Sequence, residues 1–254
     1  MQRSEFRHDG LRFSYLDQGG DGRPLVALHA HFMEAATFEP LASALAPAWR
    51  VLALDQRGHG HTDHAFTYNR ADYMGDLEAF WGHLGLGQAV LWGNSLGGAN
   101  AYQFAARHPG RVPGLVIEDI GPVIQVDLSF VLAWGGLFPT REALAEKVGP
   151  RFLPYLQDSF RETTDGWKVA FEPSEIVESG IQTSGDHWKD WLGSGCPALV
   201  VRGSDSRVTT QPELELMAAR RPHTRLVTLK GGHIVHADNP AGFTDALKAF
   251  LIDL

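Results

Sequence analysis

Six short, nearly continuous apolar runs punctuate the chain, at residues 25–28, 51–54, 90–92, 115–117, 198–201 and 226–229. Runs of this length without polar alternation suit strands buried on both faces of a sheet. Between them, apolar positions recur at helical spacing over residues 38–45, 71–84, 99–106, 212–219 and 241–251. Strand and helix in alternation predict an α/β protein with a mostly parallel, doubly wound sheet. The alternation fails once, over residues 121–195, where helix-like pieces at 141–148 and 151–160 are interrupted by Pro, Gly and Trp. A structureless loop of that length is foreign to a compact domain, so this stretch is expected to be a helical cap inserted after the fourth run. The expected organisation is a core of residues 1–120 and 196–254 carrying a cap of residues 121–195. Neither an internal repeat nor a low-complexity tract is visible.

Between the third run and the helix that follows it lies Gly93-Asn94-Ser95-Leu96-Gly97-Gly98. A serine hydroxyl is a weak nucleophile. To react, it must stand clear of the backbone, within reach of a base and of amide N–H groups that hold a developing oxyanion. A sharp strand-to-helix turn achieves this when the residues two before and two after the serine are almost without side chain, and both are glycine here. Ser95 is therefore the candidate nucleophile. The N–H of Leu96, the next residue, is one candidate oxyanion donor. The loop after the first run, Leu28-His29-Ala30-His31-Phe32, stands where a second donor is needed, and the backbone N–H of His31 is the candidate. The side chains of His29 and His31 read as structural. After the last run, Gly231-Gly232-His233 places a histidine on a glycine-flexed loop, and a histidine is the side chain whose ordinary pKa suits a general base at neutral pH. His233 is the candidate base; His236, three residues on, reads as a pocket-wall or structural histidine.

Composition narrows the partners. With 22 Lys and Arg against 30 Asp and Glu the net charge is -8, and no basic block could track phosphates. Nucleic acid is not an expected partner. Cys196, the one cysteine, excludes an internal disulfide and reads as a small buried residue beside Pro197. The opening residues hold no apolar core of signal-peptide length, and no apolar run approaches the roughly 18 residues of a membrane span. The expectation is a soluble cytoplasmic monomer or homodimer with no membrane partner. The histidines His59, His61 and His64 lack metal-ligand spacing, and neither a metal nor a cofactor is expected.

These segments together resemble the α/β-hydrolase fold, in particular its esterase, haloperoxidase and meta-cleavage hydrolase group. The likeness spans nearly the whole chain. It includes Asp55-Gln56-Arg57-Gly58-His59-Gly60-His61-Thr62-Asp63, similar to that group's D-x-R-G-x-G-x-S-D turn, and Gly232-His233 followed by Asp238-Asn239-Pro240. The resemblance implies a Ser–His–acid triad, but the acid departs from the pattern. Where the group has G-x-x-D after the penultimate strand, this chain has Gly203-Ser204-Asp205-Ser206, with serine at the acid's place and Asp205 one residue early. A serine cannot stabilise the imidazolium charge. In the haloalkane dehalogenase branch of the fold the acid stands at the end of the strand after the nucleophile, which here is Asp119. Asp119 is favoured and Asp205 remains the alternative.

A serine nucleophile points to acyl transfer and away from the alkyl-ester chemistry of dehalogenases and epoxide hydrolases. Hydrolysis of carboxylic esters, including thioesters and lactones, is the plainest reading. The G-N-S-L-G-G elbow is also close to the G-N-S-M-G-G of carbon–carbon bond hydrolases of the meta-cleavage type, which is the enzymatic alternative. A slow-turnover ligand-binding or signalling protein on the same fold is the alternative of another class. Phe32 and Met33, with Trp134, Phe138 and Trp167 of the cap, predict a pocket for a small to medium acyl or aromatic group.

Overall fold

The computed structural model describes residues 1–254. Strands β1 (Gln2–His8), β2 (Leu11–Asp17) and β3 (Arg23–Leu28) lead into helix α1 (Glu39–Leu45); β4 (Trp49–Leu54), α2 (Arg70–His83), β5 (Val90–Asn94), α3 (Leu96–Arg107) and β6 (Leu115–Glu118) follow. An insertion then carries β7 (Val123–Ile124), α4 (Arg141–Val148), α5 (Leu153–Leu156), β8 (Phe160–Thr163), β9 (Gly166–Val169), α6 (Pro173–Thr183), β10 (Gly185–Asp186) and α7 (Trp188–Trp191). The chain returns with β11 (Ala198–Gly203), α8 (Gln211–Ala219), β12 (Thr224–Leu229), α9 (Val235–Asp238) and α10 (Pro240–Leu251).

Eight strands form one sheet in the order β1-β2-β4-β3-β5-β6-β11-β12. The pairs from β4 to β12 are parallel, and β2 joins β4 antiparallel. The central strands are apolar throughout because both faces are covered. One face packs under α2 and α3 around Trp81, Tyr102 and Phe104, the other under α1 and α10 around Phe38, Trp92 and Phe243. Helix starts are chemically marked: Asn69 and Asp72 form a capping box at α2, and Thr210 and Glu213 form one at α8.

Four expectations need correction. The last run is a strand, but β12 has only half-buried and exposed positions, because it is the sheet edge and has a neighbour on one side only. Residues 151–160 are not one helix; α5 takes four of them, and Phe160 already opens a hairpin. The insertion is accordingly not purely helical, since β8 pairs with β9 and β7 with β10. Cys196 is half-buried, with an Arg221 N–H directed at its Sγ at 3.4 Å.

The insertion has its own apolar centre, built on Val131, Trp134, Leu144, Leu156, Phe171 and Ile176. It meets the sheet domain at the carboxyl ends of the strands, through the loops after β3 and β4 and through α9, which follows β12. Ser179 bonds His31, Arg161 bonds Glu34, Glu175 bonds Tyr68, and Tyr155 bonds Asp238. No helix is long and apolar enough to cross a membrane.

Candidate active site

Ser95 sits between β5 and α3 with φ 53° and ψ −114°, a backbone conformation that L-residues avoid. The turn exists because its flanks carry no side chains. A Cβ on Gly93 would stand 2.2 Å from the Gly97 oxygen, and one on Gly97 would stand 2.1 Å from the Leu28 oxygen. The second contact seats the end of β3 directly against the start of α3. The Ser95 N–H is spent on the Glu118 carbonyl at 3.0 Å, which ties the elbow to β6. Leu96 is the first residue of α3, where backbone N–H groups have no acceptor within the helix.

The loop after β3 is held rigidly by its histidines. His29 Nε2 accepts from the Gln56 N–H at 3.0 Å, so its proton is on Nδ1, which donates to the Ala30 carbonyl at 2.7 Å. Burial lowers its pKa to about 4, and that of His59, whose ring lies 5.1 Å away, to about 3. His31 is also pushed well below its ordinary value, by burial first and then by His59 and Arg70, so it is neutral. Its Nε2 is 2.9 Å from Ser179 Oγ, which in turn meets the Tyr73 hydroxyl at 2.8 Å. Phe32 has φ 54°, and its carbonyl accepts from Ser159 Oγ at 3.2 Å. Glu34 is buried against Arg161 at 2.5 Å; desolvation raises its pKa to about 7 despite that cation.

The structure separates the two candidate acids. Asp205 is exposed, paired with Lys230 Nζ at 2.6 Å, which lowers its pKa. Asp119, fully buried with φ 50°, directly follows β6 and receives His233 Nδ1 on its Oδ2 at 2.7 Å. A carboxylate at that position only accepts, so the His233 proton is on Nδ1 and Nε2 carries the lone pair. Asp119 has three further donors: the Gly203 N–H at 3.2 Å and Thr209 Oγ1 at 2.8 Å on Oδ1, and Ser206 Oγ on Oδ2. A Cβ on Gly203 would stand 1.9 Å from the Gly232 oxygen, so this glycine lets the loop of His233 lie against the end of β11. Asn94 Nδ2 donates to the Glu118 carbonyl at 3.2 Å and to the His233 carbonyl at 3.1 Å. The residue before Ser95 is thus bonded directly to His233.

A second carboxylate–histidine pair lies behind the first and escapes a reading of motifs. Glu118 accepts from the His236 N–H and from His236 Nδ1, each at 2.9 Å, and from Trp92 Nε1 at 3.1 Å. His236 Nε2 meets Thr37 Oγ1 at 2.7 Å, and neither Glu118 nor His236 touches solvent. His236 is therefore structural and not part of a pocket wall. The only sequence signal for Glu118 is a carboxylate closing an otherwise apolar strand.

Phe32 stands edge-on to Trp134, Phe152 and Phe130 of the insertion, with ring centroids 5.8, 5.9 and 6.4 Å away. Met33 is buried with Ala30 and Ile234, next to His233. Phe138 and Trp167 are paired through backbone bonds of 2.8 and 2.7 Å and pack, partly buried, against the insertion's apolar centre. In the Asp55–Asp63 turn Arg57 grips Asp76 with two bonds of 2.6 and 2.8 Å. His64 is bonded to Glu175 and His59 is buried, and no three metal-ligating side chains converge anywhere.

A family model described as the alpha/beta hydrolase fold matches residues 23–240. The chain is 26% identical to the 2-(acetamidomethylene)succinate hydrolase of Mesorhizobium japonicum, over 91% of this chain and 89% of that one. It is 28% identical to the sn-1-specific diacylglycerol lipase ABHD11 of Mus musculus, over 99% and 88%. The crystal structure of E-2-(acetamidomethylene)succinate hydrolase superposes with a TM-score of 0.88 at 24% identity, covering 99% of this chain and all of that one. With the sheet order, the elbow and a family match over most of its length, the chain belongs to the α/β-hydrolase fold family.

Proposed function

We propose that the protein is a serine hydrolase that cleaves carboxylic esters, thioesters or lactones of small to medium acyl or aromatic groups through an acyl-enzyme. The observation that carries this reading is the bonded path from Asn94, next to the strained Ser95, to His233 and on to Asp119. Ser95 Oγ attacks the carbonyl carbon, and its proton passes to the lone pair on His233 Nε2. Asp119, the triad acid, holds the Nδ1 proton and stabilises the imidazolium. The N–H groups of Leu96 and His31 receive the oxyanion. Collapse of the tetrahedral species expels the alcohol or thiol, which takes the proton from His233. Water, deprotonated by the same histidine, then releases the acid and frees Ser95.

Residues 121–195 act in this reading as the cap that closes the acyl pocket. Phe32, Trp134 and Met33 form its apolar wall, with Phe138 and Trp167 behind them. The test is steady-state turnover of p-nitrophenyl acetate, butyrate and benzoate by the protein and by Ser95→Ala. Ser95→Ala is expected to lose about 10³-fold or more in kcat, since triad members act as a unit. Equal turnover by the two proteins would leave a binding function instead.

A further inference from the structure

The seat that the family pattern gives to the acid is held by Ser206, and that serine is not idle. Its Oγ meets Asp119 Oδ2, the same oxygen that His233 Nδ1 meets at 2.7 Å. Its Oγ also accepts the Val208 N–H at 3.1 Å, closing a turn two residues long. A hydroxyl has one proton, and a buried carboxylate can only accept, so that proton lies on the line to Asp119. Thr209 Oγ1 and the Gly203 N–H saturate Oδ1. Oδ2 is thus shared between the base and a single side-chain hydroxyl. We propose, on the assignment of Asp119 as triad acid, that Ser206 is a positioning residue whose hydroxyl fixes Asp119 Oδ2 in line with His233 Nδ1.

Two consequences separate this from a merely structural serine. The first is that the hydroxyl, and not the side-chain volume, carries the effect. The second comes from distance: two atoms bonded to one oxygen lie within roughly 5 Å of each other at ordinary hydrogen-bond lengths, so the side chain at 206 lies beside the Asp119–His233 bond. A carboxylate placed at 206 reaches toward Nδ1. Beside an intact Asp119 it would crowd two negative charges, but beside an asparagine at 119 it would find an amide donor and the free Nδ1 proton.

The experiment measures kcat and KM with p-nitrophenyl butyrate, together with thermal melting, on the full chain. Ser206→Ala is expected to lower kcat about tenfold with KM within twofold, and Ser206→Thr to return within threefold of the parent. Asp119→Asn is expected to be nearly inactive, and Asp119→Asn/Ser206→Asp to exceed it at least tenfold. Unchanged kcat in Ser206→Ala, or a Ser206→Thr as impaired as the alanine at equal melting temperature, overturns the proposal. Failure of the double variant, if folded, to exceed Asp119→Asn overturns the placement on which it rests. An Asp119→Asn that keeps full activity refutes a different statement, the identity of the acid itself.

Discussion

A carboxylate without solvent contact needs a donor for each lone pair, and Asp119 has four, from Gly203, Thr209, Ser206 and His233. Asp205 spends its charge on an exposed lysine, where an ion pair is worth little. Asp119→Asn should therefore cost about 10³–10⁴-fold in ester kcat, because the amide presents the wrong partner to the imidazole. Asp205→Asn should remain within twofold. Assaying both with one chromogenic ester checks the pair, and a loss confined to Asp205→Asn would reverse the assignment. At this scale the sequence is readable where chemistry is local. Ser95 shows itself by glycines two positions away, and His233 by the glycines before it. The partners in the proposed site are not local: His233 and Asp119 are 114 residues apart, Ser206 and Asp119 are 87 apart, and His31 and Ser179 are 148 apart. No periodicity records such a pairing.

Elements deliver these side chains, and β6 delivers the most. Its last residue sends a carbonyl to Ser95 and Asn94 and a carboxylate to Trp92 and His236, so β5, β6 and α9 meet on Glu118. Glu118→Ala would leave three buried N–H groups without an acceptor. An expected loss of about 3–5 kcal/mol follows; urea unfolding of the variant measures it, and a loss under about 1 kcal/mol would contradict the brace. Central strands were legible because burial on both faces leaves apolar runs. The hairpin of β1 and β2 leaves none: β1 lies at the sheet edge and buries only Phe6, and in β2 the buried Phe13, Tyr15 and Leu16 are interrupted by the polar Arg12 and Ser14. The β8–β9 hairpin is hidden for the same reason: each strand has four residues, and each buries one. Short strands on a small apolar centre alternate too briefly to be told from loops.

For the molecule as a whole, three buried neutral imidazoles set the response to acid. His29 and His59 have pKa values lowered from 6.5 to about 4 and about 3, and His31 is shifted the same way. Between those values and 6.5 the unfolded chain binds more protons than the folded one, so stability is full above 6.5 and falls as pH drops. The slope is about 1.4 kcal/mol per pH unit for each histidine. Glu34, raised from 4.5 to about 7, opposes this, since its contribution is lost as pH rises through that window. His61 and His187 are lowered as well, while His64 is raised and joins Glu34, so five lowered histidines against two raised groups leave a net fall on acidification. Urea midpoints from pH 8 to pH 5 should show it, and His59→Asn, which can keep the donor to the Arg57 carbonyl, should flatten the curve. A flat parent profile would contradict the neutral cluster.

The insertion reaches the sheet partly through the very loop that carries the His31 N–H. Ser179 grips His31, Ser159 grips the Phe32 carbonyl, and Arg161 grips Glu34. The upper storey is therefore not an interchangeable part. If the proposed site holds, grafting a relative's insertion onto this sheet replaces the pins of its oxyanion loop along with the ceiling of its pocket, so turnover number and substrate range are expected to change together.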